Sequence, residues 1–412
     1  MKQIWLIATV DWMMEEERFR KSFQEHEGEK MWYHSQGDGI PRAQIISERA
    51  DTFCYTVVVR RAKMNYCVFA LLISVSSAAE IWNLQQLDDA KKAKDKNIIL
   101  RDIQVPAGKA LELQGLPNGT SITFAGRITF GYKEWKGPLV IIKGHNFHVE
   151  GKPGHVIDGE GHRWWDGLGG NGGKIKPCMI YVQLTHSKVK NIKVKNSPAH
   201  CWAINACRHV IFEGIVVDDT DGHAKGGHNT DGFDIAKSHH VKIKNSWVNN
   251  QDDCLALNSG TFITFENNTC EGGHGIAVAV GGYSENVAKH VNIRNCKVIK
   301  NNIGIRVKTL LNGKGIVKDI NFDNVELKDI SQTGIVIIGN YLNSGPRGEP
   351  TGDLPIQDLT INNVRGNVLR NGTNIQVWVK NGSNWKWNSQ VVGGTKKLPC
   401  QGVPKGVNIQ CG

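Results

Sequence analysis

The sequence predicts an all-β chain, a single-domain right-handed parallel β-helix with an N-terminal capping helix, and three observations predict it. The first is a short unit of alternating apolar residues closed by Asn: Val241 to Asn245, Ile263 to Asn267, Val291 to Asn295, Ile320 to Asn324 and Leu359 to Asn363, with weaker versions at Ser187 to Asn191 and Val210 to Gly214. Period-two alternation makes each unit a strand with one buried face. The second is spacing, since successive units start 23, 31, 22, 28, 29 and 39 residues apart, the length of one solenoid turn with variable loops. The third is the recurring Asn, whose amide suits a stacked polar ladder at a corner. An antiparallel sandwich gives similar spacing but leaves the Asn unexplained.

From the N-terminus, Met64 to Val75 form a short apolar stretch preceded by Arg60, Arg61 and Lys63 and followed by Ser76-Ser77-Ala78-Ala79. That is the layout of a secretory signal, too short for the roughly 18 apolar residues of a membrane span. Its position predicts that residues 1–63 are an upstream mis-extension or unstructured leader, with 64–79 the signal peptide. A signal anchor or a buried core segment would be the alternatives. Residues 80–412 then form the β-helix domain. Leu84 to Lys94, with Leu84, Leu87, Ala90 and Ala93 on one side, reads as an amphipathic helix covering the first coil, because a solenoid needs its ends closed.

Ten cysteines are present; Cys54 and Cys67 fall before the cleavage site, leaving an even eight that reads as disulfides in an exported chain. Cys254 with Cys270 and Cys400 with Cys411 are the plausible local pairs, the latter stapling the far end. CxxC spacing is absent, which disfavours zinc, and no cofactor is expected. Asn118, Asn267, Asn371 and Asn381 open glycosylation sequons. Residues 1–79 hold ten Lys/Arg and ten Asp/Glu, so the net +11 belongs entirely to residues 80–412 (40 minus 29). A basic exported protein suits a polyanionic partner. Nucleic acid is disfavoured because no nucleic-acid motif appears and the lysines are scattered.

Four polar clusters interrupt the repeats: Asn229-Thr230-Asp231, Gln251-Asp252-Asp253, Gly273-His274-Gly275 and Arg306-Val307-Lys308. Asp231, Asp252 and His274 are 21 and 22 residues apart, about one coil each, so stacking brings them onto one surface at roughly 5 Å intervals. Three carboxylates, an imidazole and two cations can bind an acidic sugar, protonate its glycosidic oxygen and activate water. Singly, each cluster also reads as a solvated turn or exposed strand edge.

With Arg163-Trp164-Trp165-Asp166-Gly167 and Asn196-Ser197-Pro198, these clusters resemble the polygalacturonases of glycoside hydrolase family 28, of the endo-acting fungal type that insects also carry. The resemblance runs from about residue 80 to the end. It implies inverting hydrolysis of α-1,4-galacturonan (pectin) by a monomeric extracellular enzyme. Asp252 is then the general acid, Asp231 and Asp253 activate water, and His274 tunes the acid. Asn229, Arg306, Lys308 and Tyr341 contact substrate. Inversion calls for acid and base carboxyls roughly 6.5 to 9.5 Å apart, and crowding of three carboxylates should raise one pKa and keep the acid protonated. Val307, Gly339-Asn340 and Ile276-Ala277-Val278 depart from the commoner family residues. A calcium-dependent pectate lyase and a non-catalytic galacturonan binder are the competing readings, and endo or exo action depends on loops at the groove ends.

Overall fold

Alternating burial along each repeat builds three columns of strands, in a computed structural model that describes residues 78–280, 286–342 and 345–412. The leader at 1–63 and the export segment up to residue 77 lie outside the described residues. Apart from the short pair Thr333–Leu342 with Gly345–Pro346, strand pairing among the described residues is parallel. The first column begins at Leu111–Leu113 and climbs through Trp202–Asn205, Phe233–Ala236, Leu255–Leu257, Ile276–Val280 and Ile303–Leu310 to Thr373–Trp378. The repeat units form the second column, paired Val210 to Val241, Ile263, Val291, Ile320 and Leu359. Short strands such as Val216–Asp218, Trp247–Asn249 and Thr269–Glu271 form the third.

Register stacks like on like. Trp202, Phe233, Leu255, Ile276 and Ile305 occupy successive rungs, and all are buried. Each such side chain contributes about 1.5 to 3 kcal/mol by leaving water. The expected Asn corner is present: Asn191, Asn245, Asn267, Asn295, Asn324 and Asn363 all take left-handed backbone, φ 51 to 54°. Gly214 takes the same corner at φ 66°. The Asn324 amide donates to Asn295 at 2.7 Å and accepts from Asn363 at 2.9 Å.

A second ladder was not anticipated. His186, His209, His240, Phe262 and His290 each immediately precede a repeat unit and stack face to face, with ring centroids 4.9, 4.5, 4.6 and 4.6 Å apart. Of the apolar positions expected on the capping helix, Leu87 and Ala90 are buried, Leu84 is half-buried and Ala93 is exposed. The helix Leu84–Ala93 is capped by Asn83, whose side chain accepts from the Gln86 N–H at 3.0 Å, and it buries Leu87 and Ala90. At the other end Cys400 and Cys411 are bridged, as are Cys254 and Cys270. The remaining four do not follow the even-count expectation. Cys178, Cys201, Cys207 and Cys296 are free thiols, the last three packed as small apolar core residues.

Candidate active site

The site lies where the third column turns into the first. Asp231, Asp253 and His274 each stand two residues before Phe233, Leu255 and Ile276, which pair in sequence, so the register that stacks the core also stacks these groups. Asp252 sits one residue further back and is held by its own turn. Arg306 and Lys308 project from Ile303–Leu310, and Ala256, Ala277 and Arg306 occupy paired positions. These two alanines leave room for Arg306 to reach back over them to Asp253.

Glycines set the His274 turn. A Cβ on Gly273 would lie 2.1 Å from the Asp252 carbonyl oxygen, and Gly275 has φ 75° with Gly304 and Ile303 carbonyls 2.2 Å from any Cβ. That closeness lets the His274 N–H donate to the Asp252 carbonyl at 2.7 Å. Asn301 braces the turn from the next coil, its Oδ1 accepting the Gly275 N–H at 2.9 Å.

Asp253 is buried and doubly paired, with the Arg306 guanidinium on Oδ1 and Lys308 Nζ 3.3 Å from Oδ2. Asp252 accepts the Asp253 N–H at 2.8 Å, meets His274 Nδ1 at 2.9 Å and accepts from Asn229 Nδ2 at 2.8 Å. Lys308 Nζ lies 4.5 Å from the centroid of the Tyr341 ring, a cation–π contact that brings the tyrosine into the same cluster. Asn229 is engaged at both ends, since its Oδ1 accepts the Gly170 N–H at 2.9 Å. In the free protein its amide ties Asp252 to the loop at 169–171.

The carboxylates divide sharply in proton affinity. Burial, then the facing Asp234, Asp252 and Asp253, push Asp231 well above the usual carboxylate range. Asp234 is lifted to about 6, chiefly by burial, with His200 opposing. Asp252 goes the other way: burial favours its neutral form, but the His274 hydrogen bond and charge, then Arg306 and Lys308, hold it well below the ordinary value. Crowding therefore raises Asp231, and Asp252 is left ionised in the free site. The expectation that crowding keeps the acid protonated is not met on Asp252, because the His274 hydrogen bond and the charges of His274, Arg306 and Lys308 together outweigh burial there.

All eight residues singled out from the sequence fall in this cluster or its immediate support. Sequence reasoning missed Asp234, Asn250, Asn301 and His200. Asn250, fully buried, donates to the carbonyls of Thr230 and Asp253 at 2.8 and 3.0 Å, fixing two of the turns to each other. Its adjacency to Gln251-Asp252-Asp253 was the available signal. The two more distant family motifs also meet, Trp165 Nε1 donating to the Ser197 carbonyl at 3.0 Å.

A parallel β-helix carrying convergent carboxylates with two buried cations on its face defines a polysaccharide-processing enzyme of the β-helix class. The chain matches glycosyl hydrolases family 28 over residues 96–411. It is 43% identical over 323 residues to endopolygalacturonase 1 of Colletotrichum lindemuthianum, covering 78% of this chain and 89% of that protein. It is 42% identical over 352 residues to a polygalacturonase of Saccharomyces cerevisiae, covering 84% and 97%. Among solved structures, endopolygalacturonase I from Stereum purpureum, complexed with two galacturonate, superposes with a TM-score of 0.69 at 33% identity over 76% of this chain and 94% of that one. The protein belongs to glycosyl hydrolase family 28 and is a glycoside hydrolase.

Proposed function

We propose that the protein is a secreted endo-polygalacturonase that hydrolyses α-1,4-galacturonosyl linkages of pectin homogalacturonan with inversion. The observation that carries this reading is the cluster itself: an ion-paired Asp253 beside an Asp252 coupled to His274, with Arg306 and Lys308 at the same point. A planar guanidinium and a point charge suit the carboxylates of adjacent galacturonates. The names of two relatives at 43% identity, endopolygalacturonase 1 and polygalacturonase, support the same substrate. Export is supported by the apolar segment Met64 to Val75 with its small-residue flank Ser76 to Ala79, and by the two disulfides.

In this mechanism the substrate changes the acid. Its carboxylates neutralise Arg306 and Lys308, two of the charges that hold Asp252 ionised, and closure of the groove by sugar deepens the burial penalty that favours the neutral form. Asp252 can then take the proton that His274 shares across 2.9 Å and deliver it to the leaving oxygen. Once the sugar occupies its cations, Asp253 is freed to orient and deprotonate water together with Asp231. Inversion follows because water attacks the face opposite the acid.

The test is a time course on demethylated polygalacturonic acid with residues 80–412 expressed through a secretory pathway. A ladder of saturated oligomers is expected; monomer alone would mean exo action, and unsaturated products would mean a lyase. Asp252→Asn should lower turnover by about 10²- to 10⁴-fold while substrate binding persists. Unchanged turnover would remove Asp252 as the acid.

A further inference from the structure

Asp231 and Asp234 each keep one buried carboxylate oxygen without a hydrogen-bond partner, Oδ1 and Oδ2 respectively. Both oxygens face one imidazole. His200 Nε2 lies 3.6 Å from Asp231 Oδ1, and its Nδ1 lies 3.6 Å from Asp234 Oδ2. The ring reaches them from the coil below, where Trp202 and Ala203 pair with Phe233 and Asp234, and it is 49% exposed. At 3.6 Å neither approach is a hydrogen bond, but a positive charge on a ring placed between the two oxygens attracts both.

We propose that His200 and Asp234 form a positioning pair that sets the pH at which Asp231 becomes competent as a base. The inference rests on the reading of Asp231 as a water-activating carboxylate. To act so, Asp231 must lose its proton, and most of its surroundings resist that loss. Asp234 faces it from its own coil, Asp252 and Asp253 from the next, and the Cys178 thiol from below; Lys308 from the strand Ile303–Leu310 and His200 oppose them. Asp234 faces the same Asp252, Asp253, Lys308 and Cys178.

Two carboxyls this strongly linked titrate as a pair. A protonated His200 between them favours the ionised states of both, so it moves the pair's proton losses to lower pH. The charge on Asp234 does the reverse to Asp231. The two neighbours therefore act on one group with opposite sign, which no purely structural role predicts.

The experiment measures kcat/KM on polygalacturonic acid against pH for the wild type, His200→Gln and Asp234→Asn, with carboxyl ¹³C titration of Asp-labelled protein alongside. His200→Gln should move the acid limb up by about one pH unit or more, since one charge at this distance is worth about 1 kcal/mol in water and more beside buried groups. Asp234→Asn should move it down by about the same, with KM nearly unchanged in both. Limbs that stay in place, or move the same way while kcat falls at every pH, would overturn the proposal. The ¹³C titration needs no turnover. If the wild type fails to hydrolyse the polymer, the functional reading above falls while opposite shifts of the Asp231 signal still uphold the pair, and absence of those shifts sinks the pair by itself.

Discussion

Asp219 and Asp253 are both buried carboxyls, yet their surroundings are opposite. Asp253 has two cations within reach, whereas Asp219 accepts the Ser197 N–H at 2.6 Å and keeps its Oδ2 without a partner among the described residues. Burial, with Asp218 and Asp158 adding repulsion, raises Asp219 to about 8. An unfolded aspartate titrates at about 4. Between those values the folded state holds a proton that the unfolded state has lost, so stability falls as pH rises through that window, by up to roughly 1.4 kcal/mol per pH unit. Asp219→Asn keeps the shape of the neutral acid and cannot ionise. Thermal unfolding at pH 5 and pH 8 should show the wild type losing more Tm between the two than the variant; equal losses would mean that Asp219 is not the titrating group.

At the scale of the strand and its corner, the Asn repeat carries a measurable share of the fold. Asn324 sits at φ 52°, donates to Asn295 and accepts from Asn363. Asn324→Ala loses both amide contacts and places an alanine in left-handed backbone, for a combined cost of about 2 to 3 kcal/mol. Asn324→Gly loses the contacts but keeps the backbone at ease, so urea unfolding should find it about 1 kcal/mol less damaging. Equal costs would remove the left-handed corner from the explanation. The same local logic made this element readable in sequence, because alternation and a corner Asn are properties of five consecutive residues. The histidine stack was equally local, one residue ahead of each unit, and went unread because imidazoles carry no apolar signal. Asp234 and His200 were different. Asp234 is an ordinary outward residue of Phe233–Ala236, His200 belongs to a turn, and only the register of Trp202 with Phe233 brings them together. Likewise the low proton affinity of Asp252 depends on how closely His274, Arg306 and Lys308 approach it, which spacing alone does not specify.

For the whole molecule the relevant quantity is charge and where it is screened. The net +11 arises from residues 80–412 (40 Lys/Arg minus 29 Asp/Glu), and many of these cations lie on the solvated surface. Arg306 and Lys308 differ, with side chains only 10% and 9% exposed. Surface charges separated by more than about 8 Å stop interacting effectively at roughly 0.15 M salt, whereas buried ones are screened much less. Salt should therefore weaken capture of a polyanion without altering the chemical step. Raising ionic strength from about 0.05 to about 0.5 M should increase KM for polygalacturonate several-fold through loss of electrostatic steering, while kcat changes by less than about twofold because the groups at the reacting bond stay shielded. Steady-state kinetics across that range distinguishes the possibilities. A salt effect carried by kcat would place the sensitive charges at the catalytic cluster, and no effect on either constant would mean that the basic surface plays no part in capturing substrate.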